Sequence, residues 1–229
     1  MPDRNWSTEQ QTIFAAPFAY QYLYSQVIQW SLRRLYNEFA WSYDLVAALV
    51  SRGYWSWWIA ACLPLLEPGL TLELGCGTGY LQRALALRQL PHVGLDRSAA
   101  MLHWARHKVA VSGSPDQLVC GDTRVLPVQA HVVRNVVATF PAPYVLERST
   151  LQEIKRVLQP DGQFLIIDNG LPSQQDAYAA VIDLAYRATM QSGRSDPRPA
   201  LLRQAGWIVR EQWIEVEQSQ VWVLQARLV

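Results

Sequence analysis

Lysine is nearly missing from this chain. Of its 20 basic residues only Lys108 and Lys155 are lysines, and 19 acids leave a net charge of +1. Arginine alone could build a basic surface, but no basic stripe runs along the sequence. Nucleic acid is therefore excluded as the default partner. Charged residues make up only 17%, against 50% hydrophobic, a balance that excludes a disordered chain and supplies a substantial core. Cysteine is scarce as well. Cys62, Cys76 and Cys120 form no C-x-x-C pair and are odd in number. That argues against a disulfide framework or a zinc site and fits buried thiols in a reducing cytoplasm. Long apolar runs are absent too. The longest, YWSWWIAACLPLL (54–66), contains Pro64 and is too short to span a bilayer. The opening MPDRNWSTEQ has no apolar signal core. These absences predict a cytoplasmic globular protein with no transmembrane segment. The 229 residues suit one large domain, or one domain with an extension.

What is present falls into two regimes. Residues 1–12 read as a polar tail. From about 17 to 66 the apolar residues Leu23, Val27, Ile28, Leu32, Leu35, Tyr36 and Phe39 recur at helical spacing. Pro68-Gly69 then punctuates the chain. Beyond it, short apolar runs at 70–74, 92–96, 117–120, 132–139, 163–168, 207–214 and 220–228 predict strands. Amphipathic stretches at 80–89, 98–110, 147–158, 174–191 and 199–205 predict helices between them. Such alternation implies a doubly wound α/β sheet with helices on both faces. Only EVEQS separates the last two strands, too short for a crossover helix, so the final strand is predicted to run antiparallel.

Residues 72–81 read LELGCGTGYL. Glycines at 75, 77 and 79 let a strand-to-helix loop turn sharply and approach a ligand, and the following helix N-terminus favours an anionic group. The spacing is G-x-G-x-G. Tyr80 stands where a dinucleotide fold needs its third glycine, and no lysine follows as in a P-loop. Asp96 ends the second strand, where a carboxylate can accept both hydroxyls of a ribose. Asp122 follows the third strand and can accept from an exocyclic amine. Glu73, ending the first strand, can face an ammonium group. Loop and acids together suit a ligand with an amino-acid end, a ribose and an adenine.

Four stretches, LELGCGTGYL (72–81), VGLDRSAAML (93–102), LVCGDTRVLP (118–127) and LQEIKRVLQPDGQFLIID (151–168), stand in the order and spacing of the class I S-adenosylmethionine-dependent methyltransferases, which the chain resembles. The resemblance implies a Rossmann-like seven-stranded sheet with an antiparallel last strand. It implies S-adenosylmethionine as cofactor and S-adenosylhomocysteine as product. Gly75, Gly77 and Gly79, with Cys76 between them, would line the methionine end. Asp96 would hold the ribose, with Arg97 and Met101 nearby, and Asp122 and Thr123 would border the adenine. Tyr43-Asp44, Gly53 and Trp57 make residues 39–58 similar to the segment before the glycine loop in ubiquinone/menaquinone-type C-methyltransferases. The expected organisation is an N-terminal helical cap, 1–66, and a cofactor-binding methyltransferase domain, 67–229. Two positions depart from the family. Val133-Arg134 replaces its Phe-Asp, which loses or reverses a charge contact, and Pro160-Asp161-Gly162 replaces its Pro-Gly-Gly turn.

Other candidates are weighed against plainer roles. His103 and His107 share a helical face but lack a third ligand, so no metal is expected. Cys76 reads as a packed side chain rather than a nucleophile. The loop 138–144 follows the fourth strand on the ligand side of the sheet, so Thr139, Phe140 and Tyr144 are candidates for the site. Six of ten tryptophans lie in the first 58 residues. They read as core for a packed extension, as a greasy acceptor pocket with Tyr36 and Tyr43 its polar members, or as a peripheral membrane contact. Tyr43 is the one candidate for a base or orienting group. The expected function is methyl transfer to a small or lipid-like acceptor. The rival readings are a non-catalytic binding module, for which the Val133-Arg134 departure is the hint, and a nicotinamide oxidoreductase, against which Tyr80 stands.

Overall fold

A computed structural model describes residues 40–113, 117–172 and 196–228. The helical periodicity over 17–39, Tyr36 and the helix expected at 174–191 lie outside the described residues. Two helices come first, α1 (Ala40–Val50) and α2 (Trp55–Ala60), followed by a 3-10 turn at Leu63–Leu65. The alternating part follows: β1 (Thr71–Leu74), α3 (Tyr80–Leu87), β2 (His92–Asp96), α4 (Ala99–Ala110), β3 (Leu118–Cys120), β4 (Val133–Thr139), a 3-10 turn at Pro143–Leu146, α5 (Arg148–Val157), β5 (Leu158–Pro172), α6 (Arg198–Gln204), β6 (Trp207–Val216) and β7 (Ser219–Leu228).

The strands form one seven-stranded sheet in the order β3-β2-β1-β4-β5-β7-β6. The first five run parallel, and β7 is antiparallel to both β5 and β6. The short link thus closes a hairpin, as its length requires. β5 is longer than its apolar run: it starts at Leu158, before the Pro160-Asp161-Gly162 turn, and continues past Asp168 through an irregularity to Pro172. Asp161 adopts φ 65°, a left-handed conformation that Asp tolerates.

Side chains of β5 alternate between two cores, as the period of two demands. Phe164 and Ile166 join the layer under α5 with Leu72, Val136 and Ile154. Leu165 and Ile167 join the opposite layer with Trp58, Ile59, Leu81 and Leu85. Helix α2 is therefore built into the second layer. Trp58 is buried and its indole N–H donates to Ser219 Oγ at 2.9 Å. A smaller cluster, Leu102, Ala105 and Val109 against Cys76 and Ala86, joins α3 to α4.

The departure at Val133-Arg134 acquires a partner in the structure. Arg134 forms an ion pair with Glu67, which also pairs with Arg227. Hydrogen bonding from Arg227, assisted by Arg134, holds the Glu67 carboxyl below its ordinary range. This cluster stands at the start of β4, the end away from the glycine loop.

One glycine in β5 is required by packing. A Cβ at Gly170 would run into the indole of Trp58. Gly170→Ala should lower stability by about 1–3 kcal/mol through overpacking and disturb the emission of the buried indole. Denaturant unfolding checks this, and an unchanged midpoint would mean Trp58 does not rest on β5.

Candidate functional site

The site lies at the carboxyl ends of β1, β2 and β4, where parallel sheets place their ligand crevice. Gly75, Gly77 and Gly79 all have positive φ, at 72°, 53° and 84°. The chain turns back so tightly that Gly75 N–H and Cys76 N–H both donate to Leu95 O, at 2.7 and 3.0 Å. Gly77 N–H donates to Asp96 Oδ2 at 2.8 Å, and Ser98 N–H to Asp96 Oδ1 at 2.8 Å. Asp96 thus braces the loop and the entry to α4, while the helix cap itself is Ser98, which accepts from Met101 N–H. Burial raises the Asp96 carboxyl above its ordinary value. A carboxylate has about four acceptor positions, so it keeps capacity for ligand hydroxyls.

The three glycines have different neighbours. Gly77 faces open space, whereas a Cβ at Gly75 would meet the Tyr144 hydroxyl. At Gly79 it would stand 2.9 Å from the Ala105 methyl. Gly79 therefore serves the packing of α3 on α4 rather than the cleft.

Glu73 is 1% exposed. It accepts from Gln82 Nε2 at 2.8 Å and from Thr139 Oγ1 at 3.0 Å. Burial outweighs both bonds and pushes its carboxyl up to about 8. Burial likewise raises the Cys76 thiol, with Glu73 adding to the effect, so Cys76 is a packed thiol and not a thiolate nucleophile.

Glu73, Gly75, Cys76, Gly77, Thr139 and Tyr43 line one cleft. Phe140 stands at its edge, stacked on Trp55 with centroids 4.3 Å apart. Its φ of 45° is a left-handed conformation seldom adopted by a bulky residue. A hydrogen bond from Phe140 N–H to Ile167 O, 2.7 Å, holds it there. The remaining candidates are not gathered at the cleft. The Met101 side chain is fully buried, and Arg97 is exposed. The Asp122 carboxylate is bound by Arg124 at 2.6 Å, and that hydrogen bonding holds it well below the usual range. Thr123 is buried with its hydroxyl 3.2 Å from that of Thr150. His103 and His107 are exposed on α4, and no group of three potential metal ligands stands together among the described residues.

Three cleft residues escape the sequence reading, Ile59, Thr78 and Tyr80, and Trp55 enters it only as one of six tryptophans. Tyr80 carries a usable signal, because the side chain that blocks a dinucleotide loop must point somewhere. Nothing in the local pattern of 55–59 separates cleft from core.

The cleft residues fit the amino-acid end of the expected cofactor. Glu73 offers a carboxyl for an ammonium group, and the loop backbone comes close to open space at Gly77. The buried acid has a measurable consequence without any ligand. An unfolded chain loses the Glu73 proton near 4.5, the folded protein near 8. Between these values the folded state holds the extra proton, so stability falls as pH rises. The melting temperature should therefore decline more from pH 5 to pH 8 in the wild type than in Glu73→Gln. Parallel profiles would show that Glu73 is ionised when folded.

A family model described as a methyltransferase domain matches residues 72–166. The chain is 31% identical over 150 residues to a demethylmenaquinone methyltransferase of Symbiobacterium thermophilum, covering 62% of this chain and 60% of that one. It is 32% identical over 147 residues to a ubiquinone/menaquinone biosynthesis C-methyltransferase of Syntrophotalea carbinolica, covering 62% of each. The chain thus spans about three-fifths of the length of these relatives. Among solved structures, a possible histamine N-methyltransferase of Thermotoga maritima shares the fold, with TM-score 0.59, 18% identity, and 84% and 98% of the two chains covered. Sheet order, glycine loop and these matches agree on the fold of the class I S-adenosylmethionine-dependent methyltransferases, with a methyltransferase domain matched over residues 72–166.

Proposed function

We propose that this chain transfers the methyl group of S-adenosylmethionine to a small or lipid-like acceptor. The observation that carries the reading is the glycine loop folded onto Asp96, with the buried Glu73 carboxyl behind it. In this reading Glu73 meets the ammonium group, and Gly75, Cys76 and Gly77 meet the amino-acid end through their backbone. Asp96 takes the ribose hydroxyls. The segment from Arg97 to Met101, with Asp122 and Thr123, borders the adenine.

When bound, the cofactor supplies a methyl group already activated on a sulfonium. The chain's work is then alignment and exclusion of water. Thr139, bonded to Glu73, fixes the floor of the cleft. Tyr43 stands at its rim, edge-on to Trp55 at 6.2 Å, where its hydroxyl can orient the acceptor or take a proton. The stacked Trp55 and Phe140 offer a flat apolar wall. That wall, together with the relatives' names, supports a planar quinone-type acceptor. The exposed Leu45, Leu49 and Trp57 on α1 and α2 add apolar surface on the same helices, in keeping with a lipid-like molecule. No helix among the described residues is long and apolar enough to cross a membrane.

Calorimetric titration with S-adenosylmethionine, S-adenosylhomocysteine and NAD, on wild type and Asp96→Ala, tests the proposal. Both sulfur ligands should bind in the micromolar range and NAD should not. Loss of a charged hydrogen-bond partner, about 1.5–3 kcal/mol, should weaken binding roughly ten- to hundredfold in the variant. An ammonium group brought to Glu73 should ionise it. Binding at pH 7 should therefore release a proton, read as a heat that depends on the buffer's ionisation enthalpy. Tight NAD binding, or no binding of the sulfur ligands to folded protein, would overturn the reading.

A further inference from the structure

An ion pair outside the cleft ties the N-terminal helices to the glycine loop. Lys108, near the end of α4, reaches Asp44 of α1 at 2.5 Å. Both converge on the Thr78 hydroxyl inside the loop. It donates to Asp44 Oδ1 at 2.6 Å and accepts from Lys108 Nζ at 2.8 Å. Lys108 also lies over the Tyr80 ring, 3.6 Å from its centroid. Thr78 is 2% exposed, and the Lys108 and Asp44 side chains 23% and 34%. This is a closed three-way arrangement, with every partner matched in charge and direction. Partial burial makes it stronger than a surface pair, whose contribution is small.

The geometry matters because of what each partner carries. Thr78 stands between Gly77, which is held by Asp96, and Gly79, which packs on α4. Fixing its hydroxyl gives the loop a second anchor besides Asp96. Asp44 directly follows Tyr43, which lines the cleft. Fixing the Asp44 carboxylate therefore fixes where Tyr43 stands. The loop and the acceptor-side rim are otherwise far apart in the chain, Thr78 and Asp44 being 34 positions apart.

We propose that Lys108 and Asp44 are positioning residues: through Thr78 they lock the glycine loop and the Tyr43-bearing helix α1 into one register, so that the cofactor loop and the acceptor side of the cleft are set together. Neither touches the reacting atoms. The inference rests on the methyltransferase reading for its functional meaning, but its structural half is testable alone.

The test is a double-mutant cycle of Lys108→Met and Asp44→Asn, read by S-adenosylhomocysteine titration, melting temperature and the rate of trypsin cleavage at Arg52 between α1 and α2. Each single variant should weaken binding about tenfold, and the double variant no further than the weaker single, since residues in one network are non-additive. Cleavage at Arg52 should quicken several-fold in all three. Leu201→Ala, exposed on α6, should change none of the three readouts. Losses that multiply in the double variant, or a lower melting temperature with unchanged affinity, would overturn the proposal and leave the pair a merely structural contact. If the wild type itself fails to bind the ligand, the methyltransferase reading falls. The cleavage rates then decide alone: an unchanged rate at Arg52 overturns the coupling of α1 to the loop, and a faster one sustains it.

Discussion

The contact between Gly77 N–H and the Asp96 carboxylate governs how this site is assembled. Adjacent parallel strands bring their carboxyl ends together, but that alone makes only a ragged edge of turns. Here the β1 loop folds back over the end of β2, giving two N–H groups to Leu95 O and a third to Asp96. Such a reversal needs a left-handed residue at every second position, which is why glycines alternate through it. One acid thereby shapes the loop, braces the start of α4 through Ser98 N–H, and retains acceptor capacity toward the crevice. Remove it and the loop loses this support; the bonds of the Thr78 hydroxyl would remain.

Buried polarity at the two ends of the sheet follows different logic. At the N-terminal end Glu67 is matched by Arg134 and Arg227, and Asn135 bonds both Glu67 N–H and Gln163 Nε2. The carboxylate there is closed off by two cations, which suits a structural role. At the other end Glu73 has, among the described residues, the neutral donors Gln82 and Thr139 and no cation. A carboxyl in that position resists ionisation. Such a mismatch is a common mark of a functional site, where strain or unmet charge is tolerated because a ligand completes it. The Arg134 departure therefore bears on stability at the closed end, not on the chemistry at the open one.

Much of the fold was legible because its signals are local. Apolar runs bounded by turns, and a link too short for a helix, define the strand sequence and the final hairpin. Within the site, Glu73, the glycines and Asp96 occupy strand ends, so their convergence follows from the sheet itself. Where the reading was looser, the deciding contacts are distant in sequence or depend on side-chain direction. Asp122 follows β3 as expected, yet Arg124, two positions on, takes its carboxylate. Thr123 turns inward to Thr150. Gly79 belongs to the same motif as Gly77 but answers to Ala105 on another helix. Lys108 is one of two lysines in the chain, and nothing in its neighbourhood on α4 announces Asp44.

The tryptophans show why composition could not choose between core, pocket and surface. Three of them sit within four positions of one short helix. Trp58 is 3% exposed and bonded to Ser219, Trp55 lines the cleft against Phe140, and Trp57 is 52% exposed. On a helix, neighbours in sequence are turned by about 100° from one another, so Trp57 points away from the face that Trp55 and Trp58, three positions apart, turn toward Phe140. The backbone of Phe140 shows which of these environments the fold favours most strongly. A phenylalanine held at φ 45° carries strain. That strain places its ring between Trp55 and Trp58, with centroids 4.3 and 6.0 Å away. The wall of the cleft and the core beneath it thus share one aromatic cluster, and a substitution in either would be felt in both.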